Sequence, residues 1–190
     1  MIGQTNKYKF TEDYTTWQNH VWENFVFPYF SEFPEILEVG TYEGRTALWL
    51  LDTLREGDIA PSITCIDSWE GIPKQERLFD KNTKNKTGIS KLRGMSGKKL
   101  SALIALNVSY DCVYIDGDHH APTVLSDLVM SWQLLKSGGI MMMDDYEWDD
   151  DGRIKKPHDR PKLAIDAFLS CYEGQYIILH KEYRVVIKKL

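Results

Sequence analysis

Four aspartates and two histidines are packed into two short strings of this chain, Asp116-Gly117-Asp118-His119-His120 and Asp144-Asp145. Each string directly follows an apolar run, Cys112-Val113-Tyr114-Ile115 in the first case and Ile140-Met141-Met142-Met143 in the second. Such runs predict buried strands. If the two strands are neighbours in one sheet, Asp116, Asp144 and Asp145 meet at its carboxyl edge. Carboxylates so close either raise one another's pKa or recruit a cation. An all-oxygen set favours a hard divalent metal, Mg²⁺ first, with Mn²⁺ or Ca²⁺ behind it. The plainer alternative is that these acids are strand-end caps and solvated turn residues.

A second stretch is built to hold a ligand. Ile36-Leu37-Glu38-Val39-Gly40-Thr41-Tyr42-Glu43-Gly44-Arg45-Thr46-Ala47 reads as an apolar strand, a glycine turn and a helix start. Gly40 lets a ligand approach the backbone, and the helix beginning near Gly44 offers unpaired N–H groups. The G-x-x-x-G spacing lacks the glycines of a dinucleotide fingerprint and the Gly-Lys-Ser/Thr of a P-loop. An ordinary strand-turn-helix remains the alternative at this point. Asp67 ends the run Ser62-Ile63-Thr64-Cys65-Ile66, 27 residues after Gly40. That interval suits a carboxylate that takes the hydroxyls of a ribose, and both can donate to it; a plain turn acid is the competing assignment. Ser96 stands where it could cap a helix over 97–106, on the rim where an adenine would sit.

The elements that must position these residues alternate. Strands over 36–40, 62–67, 90–94, 110–116 and 140–145 are separated by predicted helices over 46–55, 75–81, 97–106 and 121–136, the last ended by Ser137-Gly138-Gly139. Alternation of this kind predicts right-handed crossovers and a parallel sheet. After the acidic loop Glu147-Trp148-Asp149-Asp150-Asp151-Gly152 and a helix from Pro161, the strands 176–179 and 183–187 are too close for anything but a hairpin. Ahead of the core, Trp17, Val21, Trp22, Phe25, Val26 and Tyr29 suit an amphipathic helix within residues 12–30.

The chain has 190 residues, 43% of them hydrophobic and 12% aromatic, which suits one globular domain over 1–190: a helical extension over 1–34 and a core over 35–190. A formal charge of −5 speaks against nucleic acid as a partner. Residues 81–99 carry Lys81, Lys84, Lys86, Lys91, Arg93, Lys98 and Lys99 without an acid, which reads as a solvated loop or as an anion-attracting rim. Cys65, Cys112 and Cys171 are an odd, scattered set that reads as thiols of a reducing compartment. With no signal-like or membrane-spanning run, a cytoplasmic protein without membrane contact is expected.

On Glu38-Val39-Gly40-Thr41-Tyr42-Glu43-Gly44 together with the Asp-Gly-Asp-His and Asp-Asp-Tyr strings, the chain resembles the class I S-adenosylmethionine-dependent methyltransferases over about residues 35–188. Within them it is similar to the metal-dependent O-methyltransferases, of the catechol type and of the small bacterial type that methylates sugar or antibiotic hydroxyls. The resemblance implies a Rossmann-like, doubly wound, mostly parallel sheet of seven strands closed by an antiparallel hairpin. It implies that Glu38, Gly40, Tyr42, Gly44 and Thr46 surround the methionine part of S-adenosylmethionine. Asp67 with its neighbour Ser68 takes the ribose, Ser96 lies by the adenine, and Asp116 borders the cofactor as well as the metal. Asp116, Asp144 and Asp145 then hold a divalent ion, Mg²⁺ first. The base is His119, at the position of a lysine in the catechol type, or Asp118, at the position of an acid in the sugar-modifying type. Histidine is poised near neutral pH, whereas a carboxylate needs burial to be basic. His120 is assigned to the helix start and Asp127 to a structural hydrogen bond.

Asp144-Asp145 stands where the catechol type has Asp-Asn, which puts a catechol acceptor in doubt. Acceptor recognition falls to residues 8–30, 70–90 and 146–160, and the N-terminal aromatics suit a homodimer. The expected function is metal-assisted O-methylation of a small-molecule hydroxyl. A metal-free N- or carboxyl-methyltransferase and a non-catalytic cofactor-binding module are the alternatives, with an NAD-linked reductase behind them.

Overall fold

The computed structural model describes residues 7–148 and 156–190; the acids Asp149, Asp150 and Asp151 of the loop noted above lie outside them. The core alternates strand and helix: β1 Glu35–Val39, α2 Arg45–Glu56, β2 Ser62–Asp67, α3 Pro73–Thr83, β3 Ile89–Arg93, α4 Ser96–Ala105, β4 Tyr110–Ile115, α5 Ala121–Leu134, β5 Leu135–Met143, α6 Pro161–Cys171, β6 Tyr176–Lys181 and β7 Val185–Lys189, with α1 Asn19–Phe25 ahead of it. The seven strands lie in the order β3-β2-β1-β4-β5-β7-β6. The first five are parallel, β7 runs antiparallel to β5, and β6 to β7. This is the doubly wound sheet with a closing hairpin that the sequence leads one to expect.

Period-two alternation explains why both faces are covered. Leu37, Val39, Val113, Ile115, Met141, Met143, Val185 and Ile187 turn to one face and pack with Leu100 of α4, Val124, Leu128 and Trp132 of α5, and Ile165 and Phe168 of α6. Ile36, Ile63, Cys65, Cys112, Tyr114, Ile140, Met142 and Val186 turn to the other, against Val21 and Trp22 of α1, Leu50, Leu51 and Leu54 of α2, and Phe79 of α3. Each fully buried Leu, Ile or Phe contributes about 1.5–3 kcal/mol. The two layers therefore fix where the strand ends fall.

Four local expectations need correction. Residues 12–30 do not form one helix: a 3-10 turn Thr16–Gln18, α1 and a second 3-10 turn Phe27–Tyr29 follow one another. Pro28 has no N–H to donate and restricts the residue before it, so α1 stops at Phe25. Helix α5 ends at Leu134 and β5 begins at once, so Gly138-Gly139 lie inside the strand; a Cβ on Gly139 would stand 2.8 Å from Leu135 and 3.0 Å from the Asp111 carbonyl oxygen. Ser96 is the first residue of α4, and Met95 occupies the cap position without a side-chain bond. Residues 81–99 are not a loop but the end of α3, β3 and the start of α4; Lys91 reaches Glu76 at 2.8 Å and Asp80 at 2.6 Å, and Arg93 reaches Glu76 at 2.9 Å. Cys65 and Cys112 are buried and Cys171 exposed, all as free thiols. Among the described residues, no helix is long and apolar enough to cross a membrane.

Candidate functional site

Register brings the candidate residues together. Val39 lies beside both Ile66 and Ile115, and Ile115 beside Met143, so the next residues along, Gly40, Asp67, Asp116 and Asp144, share one edge of the sheet. Gly40 donates its N–H to the Ile66 carbonyl at 2.8 Å, and Asp116 donates to Val39 at 2.8 Å. Gly40 has φ +86°, and a Cβ there would sit 2.0 Å from the Asp116 carbonyl oxygen, so only glycine fits. At this edge opens a cavity of about 660 Å³, lined by Glu38, Gly40, Thr41, Tyr42, Thr46, Asp67, Ser68, Asp116, His119, Asp144 and Asp145 among others. A second cavity of about 210 Å³ adjoins it. Gly40, Asp67 and Ser68 line both, and Ser96, Asp118, Thr123 and Asp127 line only the smaller. Gly44 lines neither and serves as the left-handed N-cap of α2, with φ +80°.

The glycine turn is held from below by two acids. Oδ2 of Asp67 accepts the backbone N–H groups of Thr41 at 3.1 Å and Tyr42 at 2.8 Å, and Oδ1 accepts that of Trp69 at 2.8 Å. A carboxylate has about four acceptor positions, so one remains for a ribose hydroxyl. Tyr42 takes φ +50°, a strained turn conformation, with its carbonyl pinned by the indole N–H of Trp69 at 2.7 Å. Glu38 is 1% exposed and accepts from the Thr41 hydroxyl at 2.6 Å and the Cys65 thiol at 3.5 Å. Burial pushes its carboxyl up to about 7, against the pull of those two bonds.

In the smaller cavity, burial pushes Asp127 up to about 6 while the Ser96 hydroxyl pulls it down. Oδ1 of Asp127 has no hydrogen-bond partner among the described residues. Asp118 faces this cavity and folds back on its own turn, accepting the N–H groups of His119 at 2.7 Å and His120 at 3.2 Å. Burial would raise its carboxyl, but those bonds and the Thr123 hydroxyl hold it below the usual range. His119 instead faces the large cavity. Its Nε2 lies 3.0 Å from Oδ2 of Asp145, and its ring packs 4.4 Å from that of Trp148. The bond to Asp145 raises the imidazole pKa despite burial.

The three aspartates expected to hold a metal are adjacent, but each has a protein partner. Asp144 accepts on Oδ2 from Arg184 through Nε at 2.9 Å and Nη2 at 2.8 Å, and also from the Tyr114 hydroxyl; its Oδ1 takes the Asp145 N–H at 2.8 Å. Asp145, at φ +61°, accepts from the Tyr183 hydroxyl at 2.8 Å on the oxygen that His119 does not use. Asp116 lies 2.8 Å from the same Tyr114 hydroxyl, whose single proton cannot be given to both carboxylates at once. Burial, then the charges of Asp144 and Asp145, hold the Asp116 carboxyl well above the usual range. As arranged, the set does not fit a divalent ion, because Asp144 turns its oxygens to a guanidinium and to backbone. Among the described residues, no three His, Cys, Asp or Glu side chains form a group that could hold one.

One wall of the large cavity is built by the N-terminal segment. Thr11 donates its N–H at 2.7 Å and its hydroxyl at 2.6 Å to the two oxygens of Glu43, and Arg45 holds the Glu12 carbonyl at 2.7 Å and the Asp13 carboxylate at 3.4 Å. Glu12, Asp13, Tyr14, Thr15 and Trp17 thereby line the cavity, with Trp17 edge-on to Tyr183 at 4.9 Å. Of the stretch 70–90 only Ile72 reaches it, and of 146–160 only Trp148; residues 149–155 lie outside the described ones. Sequence reasoning missed Tyr114, Tyr183 and Arg184. Tyr114 had a signal, since it shares a strand face with Asp116 two residues on.

Comparison with known proteins points the same way. The family described as "Methyltransferase domain" matches residues 37–146. A protein of Mycobacterium sp. (strain JLS) that carries the name of an O-methyltransferase is 32% identical over 115 residues, 60% of this chain and 49% of that one. The chain thus spans about half the length of the curated relatives it matches. The fold is similar to that of an O-methyltransferase from Bacillus cereus solved with S-adenosylhomocysteine, at TM-score 0.62 and 15% identity, covering 83% of this chain and 74% of the other. It is similar also to the MycE methyltransferase of mycinamycin biosynthesis, solved with Mg and S-adenosylhomocysteine, at TM-score 0.64 and 15% identity over 94% of this chain and 51% of the other.

Proposed function

The chain belongs to the methyltransferase-domain family, and from that premise we propose that it transfers the methyl group of S-adenosylmethionine to a hydroxyl of a small molecule. The observation that carries this reading is the pair of adjoining cavities that share Gly40, Asp67 and Ser68, with His119 and Asp145 in the lining of the larger one. A ligand with an adenine at one end and an amino acid at the other suits two adjoining chambers. Asp67 lines both chambers and suits the ribose, and Glu38 lines only the larger, which suits the amino-acid end. Asp127 in the smaller chamber has an unpartnered acceptor. Gly40 lets the turn lie against the Asp116–Gly117 backbone at the edge where both cavities open, since a Cβ there would collide with that backbone.

When bound, the sulfonium supplies an activated methyl group. The remaining work falls to the chain. His119, oriented by Asp145 through its Nε2, is the group in the large cavity suited to take the hydroxyl proton as the oxygen attacks. The new bond is O–CH₃, and the pair of the broken S–CH₃ bond stays on sulfur, which leaves neutral S-adenosylhomocysteine. Tyr14, Trp17, Trp148 and Tyr183 give the acceptor side flat apolar walls, which suit a ring-bearing acceptor. Asp118, turned to the smaller cavity, is the second candidate base.

A Mg²⁺ ion at Asp116, Asp144 and Asp145 is the competing reading, favoured by the adjacency of the three acids and by the ion found with MycE. It would require Asp144 to release Arg184.

The test is calorimetric titration of S-adenosylhomocysteine into the full chain, followed by transfer of labelled methyl to a panel of phenols, sugars and amines. Micromolar binding with label on hydroxyl oxygen is expected. No binding, or label confined to nitrogen, overturns the reading.

A further inference from the structure

Among the described residues, Arg184 is the cation that meets Asp144 from inside the protein. It is 1% exposed although an arginine is almost never fully buried without partners. Its position follows from the hairpin: the antiparallel register pairs Met143 with Val185, so the residue before β7 stands opposite the residue after β5. The guanidinium engages four of its five N–H groups. Nε and Nη2 close on one oxygen of Asp144 at 2.9 and 2.8 Å, Nη2 also reaches the Tyr114 hydroxyl at 3.2 Å, and Nη1 donates to the Gln18 carbonyl at 3.2 Å. Tyr114 joins Asp116 to the same unit. A fixed cation already sits where the second metal ligand would have to turn, and a divalent ion beside it would meet like charge in a poorly screened site.

We propose that Arg184 is the resident cation of this aspartate cluster, standing in the place a divalent ion takes, so that the site works without one. Arg184 touches neither cavity and is therefore a positioning residue. It fixes Asp144 in the lining of the large cavity and Tyr114 in the core behind it, and through Gln18 it ties that lining to the segment that forms the acceptor wall. The part of the inference that concerns turnover rests on the methyltransferase reading; the part that concerns ion binding does not.

The test starts with the full wild-type chain, chelator-treated and dialysed, titrated with Mn²⁺ alone and followed by the loss of the free-ion electron paramagnetic resonance signal. S-adenosylhomocysteine is titrated into the same preparation. No Mn²⁺ binding beyond the background of weak surface carboxylates is expected, with methyl transfer unchanged by chelator. Arg184→Gln should then gain Mn²⁺ affinity by at least about tenfold, because a buried carboxylate stripped of its partner recruits another cation. Where that variant does not fold, the double variant Arg184→Gln with Asp144→Asn removes both charges of the pair, and it should bind no more Mn²⁺ than wild type. Stoichiometric Mn²⁺ binding by the wild-type chain, or turnover lost with chelator and restored by Mg²⁺, overturns the inference. Failure of S-adenosylhomocysteine to bind while Mn²⁺ is also refused defeats the methyltransferase reading and leaves the role of Arg184 standing.

Discussion

Glu38 offers a test of the cofactor end that needs no acceptor. Its carboxyl is pushed by burial from an ordinary 4.5 to about 7, while Thr41 and Cys65 hold it in place. The folded chain therefore keeps a proton that the unfolded chain releases, and between pH 4.5 and 7 raising the pH favours the unfolded state. The gap between 4.5 and about 7, at about 1.4 kcal/mol for each pH unit, makes the loss about 3 kcal/mol, complete above the folded value. Glu38→Gln keeps the shape and removes the proton equilibrium, and its amide can turn towards the cavity that Glu38 lines. Urea unfolding followed by tryptophan fluorescence at pH 5 and pH 8 should show wild type losing about 3 kcal/mol more than the variant across that interval. With Glu38 at the amino-acid end of the proposed ligand, its carboxylate would face the ligand's ammonium, so S-adenosylhomocysteine should bind wild type more tightly as pH rises towards 7. It should bind the variant about ten- to a hundredfold more weakly, the worth of a hydrogen bond to a charged group. Parallel stability curves for the two proteins between pH 5 and 8 would refute the argument, because they would mean that Glu38 is already ionised in the folded chain.

Gly40→Ala forces a Cβ to within 2.0 Å of the Asp116 carbonyl oxygen at φ +86°. Backbone strain and overpacking together should cost about 2–4 kcal/mol and abolish S-adenosylhomocysteine binding, checked by thermal unfolding and calorimetry. His119→Ala and Asp118→Asn separate the two candidate bases. The first should lower turnover about 10²–10⁴-fold with ligand affinity kept; the second should lose about 1 kcal/mol of stability from its turn and leave turnover within a few-fold. The reverse pattern would assign the proton transfer to Asp118.

What could be read in advance follows from how parallel sheets are made. Strands covered on both faces write themselves as unbroken apolar runs, and the polar residue that ends each run marks the ligand edge. Gly40, Asp67, Asp116 and Asp144 were therefore legible as a group before any register was known. The N-terminal segment was not. Its place over the cavity is fixed by Thr11 on Glu43, 32 residues away, and by Lys9 on Asn82, 73 residues away. Neither pairing leaves a periodicity in the chain, whereas the aromatic spacing there imitates one helix where Pro28 divides it. Ser96 was legible as a rim residue but not as a partner of Asp127, which needs the contact between α4 and α5.

Arg184 shows the same limit at the point where it matters most for mechanism. In Tyr183-Arg184-Val185-Val186-Ile187 it looks like one more residue of a strand, and its charge gives no sign of being buried. The chain turns at 182–184, β7 starts only at Val185, and antiparallel pairing carries Arg184 back to the carboxyl end of β5. Counting acids alone therefore overstates the demand for a metal. Asp67 is met by three backbone N–H groups, Glu38 by Thr41 and Cys65, Asp145 by Tyr183 and His119, and Asp144 by Arg184. These partners come from several parts of the chain, and two are shared, Thr41 by Glu38 and Asp67 and Tyr114 by Asp116 and Asp144. The ion that the acids alone would call for becomes necessary only if one of those partners lets go.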